Sequence, residues 1–178
     1  MKNIIIYILS AISIILVIIT GVIIIDYSIK HPYAGSKKIE VNKPVSALKD
    51  IGGVLFIKGW SSAEPTHRWT ESKRSHIAFD IIQKIDSCHN YTIDFYPVHV
   101  MDECQEVRLF LNNKDLGDFR FCISDTIFSI PIKSDFLFFD RTNTLILDIP
   151  NAHRPDNPAD QRILGIAIKQ IMLSCSSK

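Results

Sequence analysis

Hydrophobic residues are distributed unevenly along this chain of 178 residues. Residues 4–25 form one continuous apolar run without a charged side chain. From residue 51 onward, apolar residues instead alternate with polar ones in short runs that are separated by turn-forming residues. A helix that is apolar on every face is typical of a membrane span, whereas alternation is typical of a half-buried strand. The pattern therefore predicts one N-terminal transmembrane helix followed by an all-β domain.

The apolar run has the length of an uncleaved membrane anchor. As a helix it covers about 33 Å, enough to cross the apolar core of a bilayer. A cleaved signal peptide has a shorter apolar region and ends in a small-residue cleavage pattern, whereas Asp26, Tyr27 and Ser28 follow this run. We therefore expect residues 1–25 to be a transmembrane anchor.

The rest of the chain divides into a linker and one domain. Residues 26–50 are polar and are broken by Pro32, Gly35 and Pro44, which predicts a linker or stalk with one short strand near Lys38 to Val41. Residues 51–178 have about eight alternating runs spaced near ten residues apart, with no amphipathic helix, which predicts an antiparallel β-sandwich of jelly-roll type. The predicted strands are Val54 to Lys58, His76 to Ile82, Tyr91 to Tyr96, Glu106 to Leu111, Asp118 to Phe121, Thr126 to Ile130, Thr144 to Ile149 and Ile163 to Leu173.

The last predicted strand has the strongest alternation. In the segment RILGIAIKQIML, the heavier face carries Leu164, Ile166 and Ile168, so we expect these three side chains to be buried and Lys169 to point outward. Gly165 within a strand predicts a bulge or a close approach of another backbone.

The cysteines Cys88, Cys104, Cys122 and Cys175 have no metal-ligand spacing such as C-x-x-C, so a zinc site is not expected. Two possibilities stay open: reduced cysteines that fill the core, or disulfide bonds formed outside the cytoplasm. The expected compartment favours one disulfide, and the sequence does not choose its pairing.

The chain carries no motif of a known catalytic or metal centre. Its six histidines form no H-x-x-x-H or H-x-H pair, and there is no nucleophile elbow and no glycine-rich phosphate loop. We therefore predict no catalytic residues, no metal ligands and no cofactor, and we expect no nucleic-acid partner.

The segment GWSSAEPTHRWTES, residues 59–72, contains both tryptophans of the chain. Two interpretations stay open for it. Its polar residues can form a latch that ties the first strands to the last, or they can bind a sugar that stacks on Trp60. Trp69 is expected to pack one ring face on the core, with Arg68 pointing the other way. In the sugar-site interpretation, Trp60 is exposed and adds little to stability. The candidate ligand-binding residues are Trp60, Glu64, His67, Arg68, Asp160 and Arg162.

Two motifs together resemble a known family. A segment of the form G-W/F-x-x-x-E-x-x-x-R-W-[ST] is matched by Gly59, Trp60, Glu64, Arg68, Trp69 and Thr70. A second segment, N-A-x-x-P followed by D-x-R-x-L-G-I, is matched by Asn151, Ala152, Pro155, Asp160, Arg162, Leu164, Gly165 and Ile166, and continues to Ile168 and Ile171. Between them, QEVRLFLNNKDLGDFRF is similar to the family's hairpin, with Asn113 in place of a glycine. Over residues 51–174 the chain resembles the β-rich accessory domain at the carboxyl end of bacterial phosphoglycerol-transferase-like membrane enzymes, which also accompanies enzymes of surface-polysaccharide synthesis.

The resemblance implies an extracytoplasmic domain linked to envelope glycans. Members of that family often carry a catalytic domain elsewhere in the chain, and we expect none in this sequence. We expect a single-pass protein of the bacterial inner membrane, with its N-terminus in the cytoplasm and its C-terminal domain outside. Two functions stay open: binding of an envelope glycan or saccharide, and docking on a polytopic membrane glycosyltransferase or other envelope enzyme without glycan binding. A glycan site needs a tryptophan face open to solvent, whereas docking needs a broad apolar patch.

Overall fold

The computed structural model of the protein describes residues 2–30, 38–48, 54–122 and 127–176. The chain divides into two compact units, Met1–Ala34 and Gly35–Lys178. The first unit contains one helix, α1, over Lys2–Lys30. By length and composition, this helix is able to cross a membrane. Within it, the Thr20 hydroxyl donates to the backbone oxygen of Leu16 at 2.7 Å, so this polar group is satisfied inside the helix.

The second unit is a sandwich of two β-sheets. Its described residues contain eleven strands, which are β1 Lys38–Ile39, β2 Val45–Ser46, β3 Val54–Lys58, β4 Arg68–Trp69, β5 Arg74–Ile81, β6 Asn90–Val100, β7 Cys104–Leu111, β8 Lys114–Cys122, β9 Phe128–Ile132, β10 Asn143–Asp148 and β11 Ile166–Ser176. One sheet has the order β1-β5-β10-β7-β8, with β3 also paired to β5. The other has the order β2-β11-β6-β9, with β4 also paired to β11. All pairs are antiparallel except β1 with β5.

The predicted all-β sandwich is therefore confirmed, and each of the eight predicted strands overlaps an observed one. The short strand predicted near Lys38 to Val41 is found as β1, whereas β2 and β4, of two residues each, were not predicted. Residues 38–48 lie in the predicted linker, yet they supply β1 and β2 to the two sheets. The bounds of anchor, linker and domain remain predictions.

The core lies between the two sheets and is built from their inward-facing side chains. The six-stranded sheet contributes Ile77, Phe79, Leu109 and Leu145, and the five-stranded sheet contributes Ile93, Phe95, Ile130 and Ile168, all of which are buried. The rings of Phe95 and Phe121 meet edge to face, with centroids 5.6 Å apart.

The hairpin between β7 and β8 turns at two asparagines. Asn112 and Asn113 both have positive φ, 52° and 65°, between the paired residues Leu111 and Lys114. Two left-handed residues in a two-residue loop match the twist of the flanking strands, and asparagine adopts this conformation more easily than most residues. Asn113 therefore adopts a left-handed conformation that is otherwise typical of glycine.

The burial predicted for the segment that leads into β11 is confirmed, and the inward-facing side chains change from even to odd positions along the strand. Leu164, Ile166 and Ile168 are buried and Lys169 is exposed. The pairing with β6 is irregular between Ile168 and Gln170, which is the mark of a β-bulge at Lys169. Beyond the bulge the odd-numbered side chains face inward, so Ile171 and Leu173 are buried.

Two disulfides bridge the four cysteines, so the expectation of one was wrong. Cys104 and Cys122 are directly opposite on β7 and β8, with Cα atoms 4.0 Å apart. Cys175 near the end of β11 is bonded to Cys88 in the loop before β6, with Cα atoms 5.9 Å apart. Both pairings depend on strand neighbours that the spacing of the cysteines does not reveal.

Replacement of Ile166 by alanine should lower the free energy of unfolding by about 2–5 kcal/mol, because a completely buried side chain leaves a cavity. Ile163 provides a matched control on the same segment, since it is 37% exposed. Ile163→Ala should cost less than about 1 kcal/mol. Urea unfolding of the two variants measures the difference, and equal losses would contradict the assigned orientation of this segment.

Candidate functional site

Gly59 brings the two ends of the segment 59–72 together. Its φ is +76°, a left-handed conformation that favours glycine. A β-carbon at this position would lie 2.7 Å from Ser72 Oγ and 2.8 Å from Ser75 Oγ, so the site has no room for a side chain. The Gly59 carbonyl accepts hydrogen bonds from the Glu71 backbone N–H and the Ser75 hydroxyl, both at 2.6 Å. Trp60 is thereby placed beside Thr70 in an isolated antiparallel bridge.

Thr70 joins this segment to the start of β11. The Thr70 backbone N–H donates to the Ile166 carbonyl at 2.9 Å, and the Thr70 hydroxyl accepts from the Ile166 N–H at 3.0 Å. A β-carbon on Gly165 would lie 2.9 Å from the Thr70 hydroxyl and 3.0 Å from Ile149. The neighbours of Gly165 are therefore packed closely, but they are side-chain atoms and not the backbone that the prediction named. The junction of Thr70 with Ile166 brings residues 157–163, just before β11, toward the tryptophan segment.

Arg162 lies at the centre of an ion triad with Asp160 and Glu64. Its Nε and Nη2 donate to the two oxygens of Asp160 at 2.9 Å and 2.6 Å, and its Nη1 donates to Glu64 Oε1 at 3.0 Å. The side chains of Arg162, Glu64 and Asp160 are 35%, 32% and 20% exposed, so water screens the triad and it orients these groups more than it stabilises the fold. Three of the six candidate residues therefore meet in this triad. Two of them, Glu64 and Arg162, are 98 positions apart in the sequence.

The hydrogen bonds of the triad favour the charged forms of Asp160 and Arg162. Hydrogen bonds from the Arg162 guanidinium, followed by one from the Arg162 backbone N–H, lower the pKa of Asp160 to about 2. The hydrogen bonds that the Arg162 guanidinium donates to Asp160 and Glu64 raise the pKa of Arg162 above its ordinary value. Asp160 is therefore a carboxylate throughout the neutral pH range.

An open groove lies beside this triad. It is lined by residues 58–60, 71–72, 157 and 159–163, and its volume is about 990 Å³. Trp60, Asp160 and Arg162 are thus brought to one surface, and Glu64 reaches it through its bond to Arg162.

The indole of Trp60 is held in a fixed orientation at this groove. Its Nε1–H donates to the His76 carbonyl at 3.1 Å, and its ring meets Phe56 edge to face, with centroids 4.7 Å apart. The ring is half-buried and packs against the core. The sugar-site interpretation expected an exposed Trp60, whereas the ring is half-buried: one part of it packs against the core while another lines the groove.

His67 and Arg68 are not among the residues that line the groove. His67 is buried, with Nε2 3.2 Å from Glu64 Oε2, but the two atoms are not aligned as a hydrogen bond. Arg68 is 5% exposed, and its guanidinium carbon lies 4.7 Å from the centroid of the Phe56 ring.

The predicted orientations of Arg68 and Trp69 are reversed in the structure. Arg68 is opposite Ile168 in the pairing of β4 with β11, and directly opposed residues share one face of a sheet. Because Ile168 faces the core, Arg68 does too, and Trp69 lies on the other face. There Trp69 stacks on His99, with ring centroids 6.0 Å apart and planes 13° apart. Register with β11, which the sequence does not show, decides this orientation.

Five polar residues of the groove were not predicted as site residues: Lys58, Glu71, Ser72, Asn157 and Gln161. Each is adjacent to a residue of the two motifs or within three positions of one, since Lys58 precedes Gly59 and Glu71 follows Thr70. Only their position beside the motifs could have indicated these residues from the sequence, because none of them is part of the motif pattern.

Comparison with known proteins gives similarity of fold only. No family model matches the chain, and no curated protein matches it. Similar solved structures include CBM35 from Paenibacillus barcinonensis, with 11% identity over 76% of this chain and 100% of the other, and a TM-score of 0.42. The native family 35 carbohydrate-binding module from Clostridium thermocellum has 10% identity over 74% of this chain and 97% of the other, with a TM-score of 0.40.

The Podospora anserina GH26-CBM35 β-(1,4)-mannanase is also similar, with 14% identity over 76% of this chain and 28% of the other, and a TM-score of 0.43. These neighbours are β-sandwiches with carbohydrate-binding modules among them. The values are too low to transfer a ligand or an activity to this chain.

Replacement of Asp160 by asparagine should lower the melting temperature near neutral pH and have a smaller effect in acid. The pKa of Asp160 is lowered in the folded state, so its stabilising contribution is present above its ordinary pKa and is lost as the pH falls through about 2. Thermal melts of Asp160→Asn and the parent chain from about pH 6 to about pH 2 measure the difference. Asp156, which is exposed and has no ion pair in the described residues, supplies the control Asp156→Asn, with no expected change. A difference between Asp160→Asn and the parent that is constant with pH would contradict the role of the ion pair.

Proposed function

We propose that the β-sandwich binds a glycan in the groove lined by Trp60, Asp160 and Arg162, without catalysing a reaction on it. The observation that carries this proposal is the combination in one open groove of an indole in a fixed orientation and a charged pair locked by bidentate hydrogen bonds. A sugar ring has an apolar face that stacks on an aromatic ring and hydroxyls that bond to polar groups. The Trp60 ring and the Asp160–Arg162 pair are already held in position, so little side-chain entropy is lost on binding.

The same residues support the latch and the site. The triad of Glu64, Asp160 and Arg162 ties residue 64 to residues 160–162, as the latch interpretation predicts. Asp160 and Arg162 of this triad also line the groove. In our proposal the latch fixes the geometry of the site, so the two interpretations are not exclusive.

Docking of the sandwich on a polytopic glycosyltransferase receives less support. In the part of the sandwich that the structure describes, the large hydrophobic side chains that are more than a third exposed are Ile82, Ile127 and Ile163. Three such residues are too few for a broad apolar patch. The proposal of glycan binding depends on the groove alone, because the similarity to carbohydrate-binding modules is too weak to indicate a ligand.

We further propose that α1 anchors the sandwich outside the cytoplasm, with the N-terminus inside. Two disulfides support this location, since disulfides persist in oxidising compartments and are rare in the cytosol. The length and apolar composition of α1 support the anchor. The resemblance to the accessory domain of phosphoglycerol-transferase-like enzymes supports a bacterial envelope polysaccharide as the ligand.

Replacement of Trp60 by alanine should weaken glycan binding at least tenfold, which corresponds to about 1.4 kcal/mol. It should also destabilise the fold by about 2 kcal/mol, because the ring packs against the core. Trp69→Ala is the matched control: it also removes a half-buried indole, but Trp69 does not line the groove.

The measurement is glycan-array binding followed by titration calorimetry, with the full chain in detergent and below the melting temperature of each variant. Retention of binding by Trp69→Ala and its loss in Trp60→Ala would support the groove. Equal binding by both variants, or no binding of any envelope glycan by the parent chain, would contradict the proposed function.

A reporter that is active only outside the cytoplasm, fused after Lys178, should be active in bacterial cells. The apolar helix would span the membrane once and leave the disulfide-bonded domain on the outer side. The same fusion with a reporter active only in the cytoplasm is the control and should be silent. Activity of the cytoplasmic reporter alone would exclude the proposed topology, and a mature protein that begins near residue 30 would show a cleaved signal in place of an anchor.

A further inference from the structure

The charged side chains at the groove do not form a surface for anions. Its lining contains two cations, Lys58 and Arg162, and two carboxylates, Asp160 and Glu71. A third carboxylate, Glu64, bonds to Arg162 from the adjoining loop. Carboxylates therefore outnumber cations at the groove.

We infer that the groove selects uncharged, hydroxyl-rich saccharides over saccharides that carry carboxylate or phosphate groups, an inference that rests on the proposed glycan binding. Arg162 is the residue that would ordinarily bind an acidic substituent through two parallel hydrogen bonds. Here the edge formed by Nε and Nη2 is already bonded to Asp160, and Nη1 is bonded to Glu64. The positive charge of Arg162 is thus compensated by two carboxylates before any ligand arrives.

The neutral polar groups of the groove offer both donors and acceptors. Asn157 accepts a hydrogen bond from the Ala159 N–H through Oδ1 at 3.1 Å, which leaves its NH₂ group as a donor. Gln161 donates through Nε2 to the Pro158 carbonyl at 2.6 Å, which leaves its Oε1 as an acceptor. Two of the five N–H groups of Arg162 also remain beyond its bonds to the two carboxylates.

This combination fits hydroxyl groups better than anions. A hydroxyl both donates and accepts, so it can bond to Asp160 or Glu71 and to the free N–H groups of Arg162 at the same time. An ionised carboxylate or phosphate only accepts, and it would lie close to the carboxylates of Asp160 and Glu71 without a proton to offer them. Like charges that come together in a binding site oppose binding strongly.

Lys58 is the one cation of the groove lining outside the triad, and it could favour an acidic ligand. Its side chain is exposed, whereas Glu71 is half-buried in the same groove. An ion pair with an exposed lysine contributes little because water screens it, while repulsion from a partly buried carboxylate is screened less. The balance therefore favours neutral saccharides.

The test compares matched oligosaccharides on the full chain in detergent: glucose and galactose oligomers, the corresponding glucuronic and galacturonic acid oligomers, and phosphorylated forms of the same sugars. We expect whichever neutral oligomer binds, glucose or galactose, to bind at least about tenfold more tightly than its acidic counterpart at low salt. The difference should shrink as salt is raised, since screening reduces the repulsion. Glu71→Gln should reduce the ratio of neutral to acidic affinity, and Glu103→Gln, an exposed carboxylate outside the groove, should leave that ratio unchanged.

The outcomes separate this inference from the proposed function. Acidic oligomers that bind as tightly as neutral ones, with binding lost in Lys58→Gln, would overturn the selectivity and leave glycan binding intact. A ratio that Glu71→Gln does not change would also overturn it, because the repulsion would not come from the groove. Failure of every neutral and acidic oligomer to bind would overturn the proposed function itself.

Discussion

The pairing of Thr70 with Ile166 is the constraint on which the rest of the site depends. Two backbone strands meet there through the Thr70 N–H and hydroxyl, 96 positions apart in the sequence. The packing is tight enough that a β-carbon on Gly165 would lie 2.9 Å from the Thr70 hydroxyl oxygen. Because this junction is buried and fully hydrogen-bonded, it fixes where the tryptophan segment lies relative to the start of β11. The groove and the ion triad follow from that placement.

The ion triad shows how one set of residues can support both a fold and a site. Arg162 satisfies two carboxylates from different parts of the chain, which closes one loop against another. Since all three groups are partly exposed, their contribution to stability is screened, and their more specific effect is to hold charged groups in a fixed array at the groove surface. Because its charge is compensated by Asp160 and Glu64, Arg162 joins two parts of the chain but is poorly suited to bind an anion. Trp60 also contributes to both the fold and the site, because its packing against Phe56 orients the ring that lines the groove.

Most of the sandwich could be predicted from the chain because alternation is a local property of each strand. The eight longer strands were found in this way, and so was the burial of Leu164, Ile166 and Ile168. The two-residue strand at Arg68 and Trp69 is too short to carry a pattern, and its register with Ile168 reversed the expected orientation of both side chains. The bulge at Lys169 turns Ile171 and Leu173 toward the core, since a shift of one residue moves every later side chain to the other face.

The sequence by itself determined the apolar helix, the all-β class of the domain and the two motifs that contain Trp60, Glu64, Asp160 and Arg162. These depend on the order of residue types over a few turns or strands, and local patterns record that order. Only the tertiary structure decided which cysteines pair, that Trp60 packs on the core, and that Lys58 and Glu71 line the groove. Each of these depends on which strands are neighbours and in what register, which is settled by packing between residues far apart in the chain.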